Sequence, residues 1–194
     1  MFITLEGIDR SGKTTHAARL ADRLGATLLR EPGGTAAGER VRELLKSSEV
    51  ALNPRAELFL FSAARAELIS EVIAPARDHG AMLVCDRFMD STVAYQGAGR
   101  GLGTEFVERV NELVVGDHVP DLTILLRIDP EVAAARPGSD DDRFEAEGIE
   151  FQRRVAAAYD ELADRHPERI AVVPAEGEVD GIAAEIDALV EARR

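Results

Sequence analysis

The chain has 194 residues, 45% hydrophobic and 30% charged, with a formal net charge of −13 and a single cysteine, Cys85. This is enough chain for one α/β domain, with no apolar run near the ~20 residues that a bilayer span needs; the acidity disfavours nucleic-acid backbone and anionic membrane as partners. One thiol excludes an internal disulfide framework and a thiolate metal site.

The amino terminus enters an apolar segment at once, without a basic region or a small-residue cleavage site, so a cytoplasmic protein is expected. FITL (2–5) reads as a buried strand. Residues 13–24 follow as a helix with Ala17, Leu20, Ala21 and Leu24 on one face. ATLL (26–29) is the second strand, and helices are predicted over 36–46 and 54–78. AMLVC (81–85) is the third strand and ends on Cys85, a small buried residue in this reading. A helix over 104–115, the strand LTILLRI (122–128) and a helix over 130–136 come next. RPGSDDDR (136–143) suits neither helix nor strand and is predicted to be a loop. A helix over 144–165, the strand IAVV (170–173) and a helix over 178–192 complete the chain. The alternation predicts one α/β domain over 1–194, with a five-stranded parallel sheet covered on both sides. His16, His79, His118 and His166 have no metal-ligand spacing and are expected at the surface or its boundary.

GIDRSGKT, Gly7 to Thr14, fits the G-x-x-x-x-G-K-[ST] pattern and has the context it requires, a strand before and a helix after. In such a loop successive backbone N–H groups converge on phosphate oxygens at the positive end of a helix, and Gly7 and Gly12 let the backbone approach. Lys13, one of only two lysines in the chain with Lys46, is placed to reach the β- and γ-phosphates. Thr14 offers a hydroxyl to Mg²⁺, which binds phosphate oxygens and water in preference to an all-protein cage. No N-K-x-D guanine signature is present, so the sequence favours an enzyme that spends its nucleotide over a GTP-binding switch. A kinase then needs a second pocket. LVCDRF (83–88) puts Asp86 and Arg87 at the carboxyl end of a strand, where ligands bind in parallel sheets. Asp86 could order the water shell of a metal, and Arg87 could fork onto a second phosphate.

DRFMDSTVAYQGAGRGLG (86–103) resembles the DR(Y/F)-x-x-S-x-x-AYQG-x-GRG signature of thymidylate kinases. REPGGT (30–35) with GERVR (38–42), LFLFSAARAELI (58–69), and DRFE (142–145) with FQRRV (151–155) resemble further family segments in the same order. The resemblance covers essentially the whole chain. It implies a P-loop nucleoside monophosphate kinase-like three-layer fold with a short lid at about 136–143, and phosphorylation of dTMP by ATP with Mg²⁺. It also implies a homodimer formed through the long helices. Gly7, Ile8, Asp9, Arg10, Ser11, Gly12, Lys13, Thr14 and Thr15 would bind ATP together with Arg136 and Arg143 of the lid. Phe61 would stack on thymine and Arg65 would donate to a base carbonyl, their i, i+4 spacing setting both on one helix face. Thr92 and Gln96 would complete base recognition, and Tyr95 would exclude a 2′-hydroxyl. Asp9 would accept from the 3′-hydroxyl, and Glu31 would lie near the sugar. Arg42 and Arg87 would hold the acceptor phosphate; Arg100 either joins them or caps its loop.

ATP meets an acceptor that already bears a phosphate, so charge repulsion has to be offset. A phosphate monoester has a second pKa of about 6 and needs no strong general base, which leaves positioning and electrostatics to do the catalysis. Arg10 is the candidate to neutralise the transferring group. Members of this family resemble one of two arrangements, with the catalytic arginine in the phosphate loop or in the lid. DRSGKT and the acidic lid follow the first and REPGG the second, so the roles of Arg10, Arg136 and Arg143 stay open here. The alternatives are another small nucleoside or nucleotide kinase, or a regulatory protein that binds ATP without turnover.

Overall fold

The computed structural model describes residues 1–47, 49–137 and 147–193. Five strands form one all-parallel sheet in the order β2-β3-β1-β4-β5: β1 Phe2–Glu6, β2 Thr27–Arg30, β3 Leu83–Asp86, β4 Leu122–Arg127 and β5 Ile170–Pro174. All five expected strands are present, with edges moved by one or two residues. Every residue of β1 is buried, which requires cover on both faces and explains why a near-continuous apolar run reads as a central parallel strand. Alternation still sorts its side chains. Ile3 and Leu5 join the larger core cluster with Ala17, Leu20 and Ala21 of the first helix. Phe2 meets the Phe88 ring edge-on at 5.1 Å, and Thr4 hydrogen bonds Thr123 at 2.8 Å.

The helices are α1 Lys13–Leu24, α2 Ala36–Lys46, α3 Pro54–Leu68, α4 Ala74–Asp78, α5 Met89–Thr92, α6 Thr104–Val115, α7 Pro130–Ala134, α8 Ile149–Arg165 and α9 Val179–Glu191. Three start as their sequences dictate: Thr35 caps α2, while Asn53 and Asp129 cap α3 and α7, each followed by a proline in the first turn. The expected helix 54–78 is interrupted by a π-helical turn at Ile69–Ile73. Pro75 lies just beyond it; with no N–H to give and a ring that crowds the preceding turn, it favours a wider coil there.

The segment after β3 folds as α5 and then a second π-helical stretch, Val93–Gly99, a helix that apolar periodicity did not indicate. Gly99 is a packing requirement there, because a Cβ on it would lie 2.7 Å from the Phe151 ring of α8. The predicted helix over 144–165 is seen from Ile149; residues 144–146 lie outside the described residues. So do Arg143 and all but Arg136 and Pro137 of the loop expected at 136–143.

β1 sits at the switch point of the topology. Its connection through α1 leads toward β2 on one side, and β4 pairs on the other. The crevice above the carboxyl ends of β1 and β3 is therefore where both sequence motifs arrive.

Candidate active site

The phosphate loop begins at Gly7, whose φ of 142° and whose position allow no side chain: a Cβ would lie 2.7 Å from the Leu126 carbonyl and 2.9 Å from Ser11 Oγ. Arg10 also has positive φ, 61°, uncommon for a residue with a side chain. Unlike α2, α3 and α7, helix α1 has no side chain capping its start, so the N–H groups of its first turn stay available to an anion.

Lys13 is buried and folds back over the loop, donating to the Ile8 carbonyl at 2.6 Å and to Ser11 Oγ at 3.3 Å. Burial, then the charge of Arg87, bring its pKa down to about 8 against the pull of Asp9, Asp86 and Glu6. Thr14 Oγ1 donates to Asp86 Oδ2 at 2.5 Å. The other oxygen, Asp86 Oδ1, is buried and has no protein partner among the described residues. Two neighbouring oxygen ligands suit a hard cation that keeps phosphate and water as its remaining ligands. Among the described residues no group of three or more His, Cys, Asp or Glu could hold a metal unaided.

Arg87 ties the two motifs together. Its backbone has a φ of 69°. Nη1 donates to the Gly7 carbonyl at 3.2 Å and Ser91 Oγ at 3.3 Å; Nη2 donates to Asp9 Oδ1 and to the Tyr95 hydroxyl, the latter at 3.2 Å. The guanidinium also lies over the Tyr95 ring, 4.8 Å from its centre. Gln152 Nε2 donates to the second Asp9 oxygen at 2.9 Å. Burial would push Asp9 up, but Arg87 and then Lys13 outweigh it and hold the carboxyl below its usual range, ionised and ready to accept.

A cleft of about 670 Å³ runs over these groups. Of the expected residues, those from Asp9 to Thr15 line it, together with Glu31, Arg42, Phe61, Asp86, Arg87, Thr92, Tyr95, Gln96 and Arg136. Ile8 belongs to the core instead. Arg42 donates to the Pro32 carbonyl at 2.9 Å, fixing it beside the turn that carries Glu31. Gln96 gives its amide N–H to the buried Glu57 at 2.8 Å. A carboxylate can only accept, so this contact turns the Gln96 carbonyl away from Glu57.

Besides Ile8, Arg65 and Arg100 also sit elsewhere than expected. Arg65 is 1% exposed and does not line the cleft. It donates to both Glu31 oxygens, Thr92 Oγ1, Asn111 Oδ1 and the Phe88 carbonyl, which occupies its five N–H groups and leaves none for a base carbonyl in this arrangement. Arg100 is also absent from the cleft lining; it pairs with Glu57 at 3.0 Å and with Glu147, and covers the Phe151 ring.

Arg10 lines the cleft, and its Nη1 donates to the carbonyls of Ala134 and Arg136 at 3.1 Å each, at the end of α7. Arg136 answers with a bond to the Arg10 carbonyl at 3.1 Å and another to Ala175 at 2.5 Å. The two arginines thus clasp the phosphate loop to the foot of the expected lid.

His16 departs from its expected surface position: it is 3% exposed, lining the cleft. It falls on the inner face of α1 beside Ala17, and burial, then Arg19 and Arg136, lower its pKa. The other three histidines are exposed or half-buried as expected.

Glu6, Glu57, Ser91, Gln152 and Tyr159 escaped the sequence reading. For Glu6 a signal existed, an acid ending an otherwise apolar strand. Ser91 is the serine of the signature at 86–103, marked there but given no role, while Glu57, Gln152 and Tyr159 touch the site from other helices.

Comparison with known proteins agrees along the whole chain. The family model described as thymidylate kinase matches residues 5–186. A thymidylate kinase of Synechococcus sp. (strain JA-2-3B'a(2-13)) is 47% identical over 198 residues, covering 100% of this chain and 95% of the relative. That of Deinococcus radiodurans is 44% identical over 201 residues, covering 100% and 97%. The crystal structure of thymidylate kinase from Ehrlichia chaffeensis superposes with a TM-score of 0.83 at 34% identity, covering 98% of each chain.

Proposed function

The chain belongs to the thymidylate kinase family, and on that premise we propose that it phosphorylates dTMP to dTDP with Mg·ATP as donor. An oxygen of the acceptor phosphate attacks the γ-phosphorus in line, the bond to the β-phosphate oxygen breaks, and ADP leaves. The observation that carries this reading is one continuous cleft lined by Lys13 and the start of an uncapped helix and also by Arg87, Asp9, Phe61, Thr92 and Gln96.

In this reading the loop N–H groups and Lys13 hold the donor phosphates, while Arg42 and Arg87 hold the acceptor phosphate. Asp9 accepts from the 3′-hydroxyl. Phe61 stacks on the base, and Thr92 and Gln96 meet its edge. Tyr95 fills the space a 2′-hydroxyl would take. Arg65 acts from beneath, through Glu31 and Thr92. Thr14 and Asp86 would hold Mg²⁺, which supplies charge neutralisation to the phosphates when bound.

Coupled ADP release tests the assignment. dTMP is expected to give a higher kcat/KM than thymidine, dCMP or AMP, and a higher value with any of these sinks it. ATP binding without dTMP-dependent ADP release would describe a nucleotide-dependent regulator instead. Phe61→Ala is expected to raise the KM for dTMP by about 10- to 100-fold, the range that loss of one base–aromatic stack costs, with kcat changed much less.

Lys13 offers a pH test. With a pKa near 8 in the free protein, it is about half neutral at pH 8, and bound phosphates restore its charge. ATP binding should then take up about half a proton at pH 8 and almost none at pH 6.5, so affinity falls as pH rises through 8. Titration calorimetry in buffers of different ionisation enthalpy reads this directly; equal proton uptake at the two pH values would count against it.

The family reading also carries a homodimer. α3 and α6 pack on one another and leave Phe59 and Leu113 54% and 88% exposed, apolar surface suited to a second copy. Cytoplasmic placement follows from nucleotide substrates. No helix among the described residues is long and apolar enough to cross a membrane.

A further inference from the structure

Glu6 ends the central strand and is completely buried. Its Oε1 accepts the backbone N–H groups of Phe88 at 2.8 Å and Ser91 at 3.3 Å; its Oε2 accepts the hydroxyls of Ser91 at 2.6 Å and Tyr159 at 2.8 Å. Four donors fill the capacity of a carboxylate. The Phe88 peptide directly follows Arg87, the residue held at positive φ. Helix α5 has no side-chain cap of its own, and Glu6 supplies one from across the sheet. Ser91 Oγ in turn accepts from Arg87 Nη1 at 3.3 Å, and the same guanidinium continues to Gly7 and Asp9.

Resting on the function proposed above, we infer that Glu6 is a positioning residue for the acceptor half of the site: through the Phe88 peptide and the Ser91 hydroxyl it holds Arg87 where the guanidinium meets the acceptor phosphate, without itself touching either nucleotide.

A buried acid is a poor way to cap a turn for stability alone. Burial, then the charge of Asp90, raise the Glu6 pKa to about 7, with Ser91, Arg87 and Tyr159 pulling it back. Lys13, Cys85 and Arg169 also lie within its field. A carboxyl raised in the folded state contributes its stability below the unfolded pKa and loses it as pH rises through the folded one. At pH 8 the charge on Glu6 therefore opposes folding, and a neutral isostere is expected to fold at least as well. The hydrogen bonds of Glu6 to Phe88 and Ser91, beside Arg87, point to the site rather than to the core.

Glu6→Gln keeps an acceptor for the two N–H groups and removes the charge. We expect its Tm at pH 8 to equal or exceed that of the parent, its KM for dTMP to rise roughly tenfold or more, and its KM for ATP to stay within about twofold. Ser91→Ala, which deletes only the hydroxyl between Glu6 and Arg87, should raise the same KM, and the double variant should be no worse than Glu6→Gln alone. Calorimetric dTMP binding without ATP should show the same loss. A folded Glu6→Gln with unchanged KM for dTMP, a parallel rise in both KM values, or additive effects of the two substitutions would overturn the inference. If Glu6→Gln does not fold, Ser91→Ala with unchanged dTMP binding overturns it alone. A parent protein that forms no ADP with dTMP refutes the function itself, a result read before any variant is made.

Discussion

Replacing Arg10 by alanine is expected to lower kcat by about 10³-fold while changing the KM for dTMP by no more than about threefold. The two arginines clasped at the foot of α7 explain why this residue is suited to act late. Among the described residues, Arg10 donates to the Ala134 and Arg136 carbonyls, acceptors at the negative end of a short helix. A transferring phosphoryl group carries full charge and is a far stronger acceptor. An arginine that moves onto it contributes more in the transition state than in the ground state, so its loss falls on kcat. Arg10→Lys should recover only a small part, because an ammonium cannot reproduce the planar fork. Equal losses in binding and little change in kcat would reassign Arg10 to anchoring the bound nucleotide. Arg136 holds the Arg10 carbonyl from the other side, so the substitution is best read alongside Arg136→Ala, for which a smaller loss is expected.

Arg87→Ala is expected to reduce kcat/KM for dTMP by on the order of 10³-fold, because truncating one member of a partly desolvated, hydrogen-bonded charge pair costs about 2–5 kcal/mol. The side chain serves two ends. It bonds the loop at Gly7, the acid at Asp9 and the helical segment at Ser91 and Tyr95, and it lines the cleft, where a phosphate can meet it. Without it Asp9 keeps Lys13 as its principal counter-charge and loses part of its preference for the ionised form. Arg87→Lys should fall well short of full recovery, since no point charge can meet Gly7, Ser91, Asp9 and Tyr95 together. A loss under about tenfold in Arg87→Ala would mean that the residue is scaffolding and that another cation holds the acceptor.

The balance of charge in this site is built with few groups. Lys13 is the one lysine on the cleft besides Lys46, and the arginines lining it have hydrogen bonds already directed: Arg30 onto Glu39, Arg42 onto Pro32, Arg87 onto Gly7 and Asp9, Arg10 and Arg136 onto each other's backbone. Pre-set directions reduce the reorganisation needed when two anionic nucleotides approach. A net charge of −13 on the molecule as a whole makes this local concentration of cations the more specific.

The sequence by itself determined the alternation of five buried strands with helices, the phosphate loop, and the arrival of Asp86 and Arg87 at a strand end. Each of these is written in local periodicity or in a spaced motif, where a residue's neighbours in the chain are also its neighbours in space. The second π-helical stretch, Val93–Gly99, and the direction in which each guanidinium points were decided by tertiary structure. Phe61 and Arg65 show the difference. Their spacing puts them on one helix face, yet Phe61 lines the cleft while Arg65 is drawn beneath it by Glu31, Thr92, Asn111 and Phe88 from three other segments. Glu6 shows it again: a single acid in an apolar strand acquires its meaning only when Phe88, Ser91 and Tyr159, 82 to 153 residues away, converge on it. A buried charge must find donors wherever the packed chain brings them, and no local pattern records where those will come from.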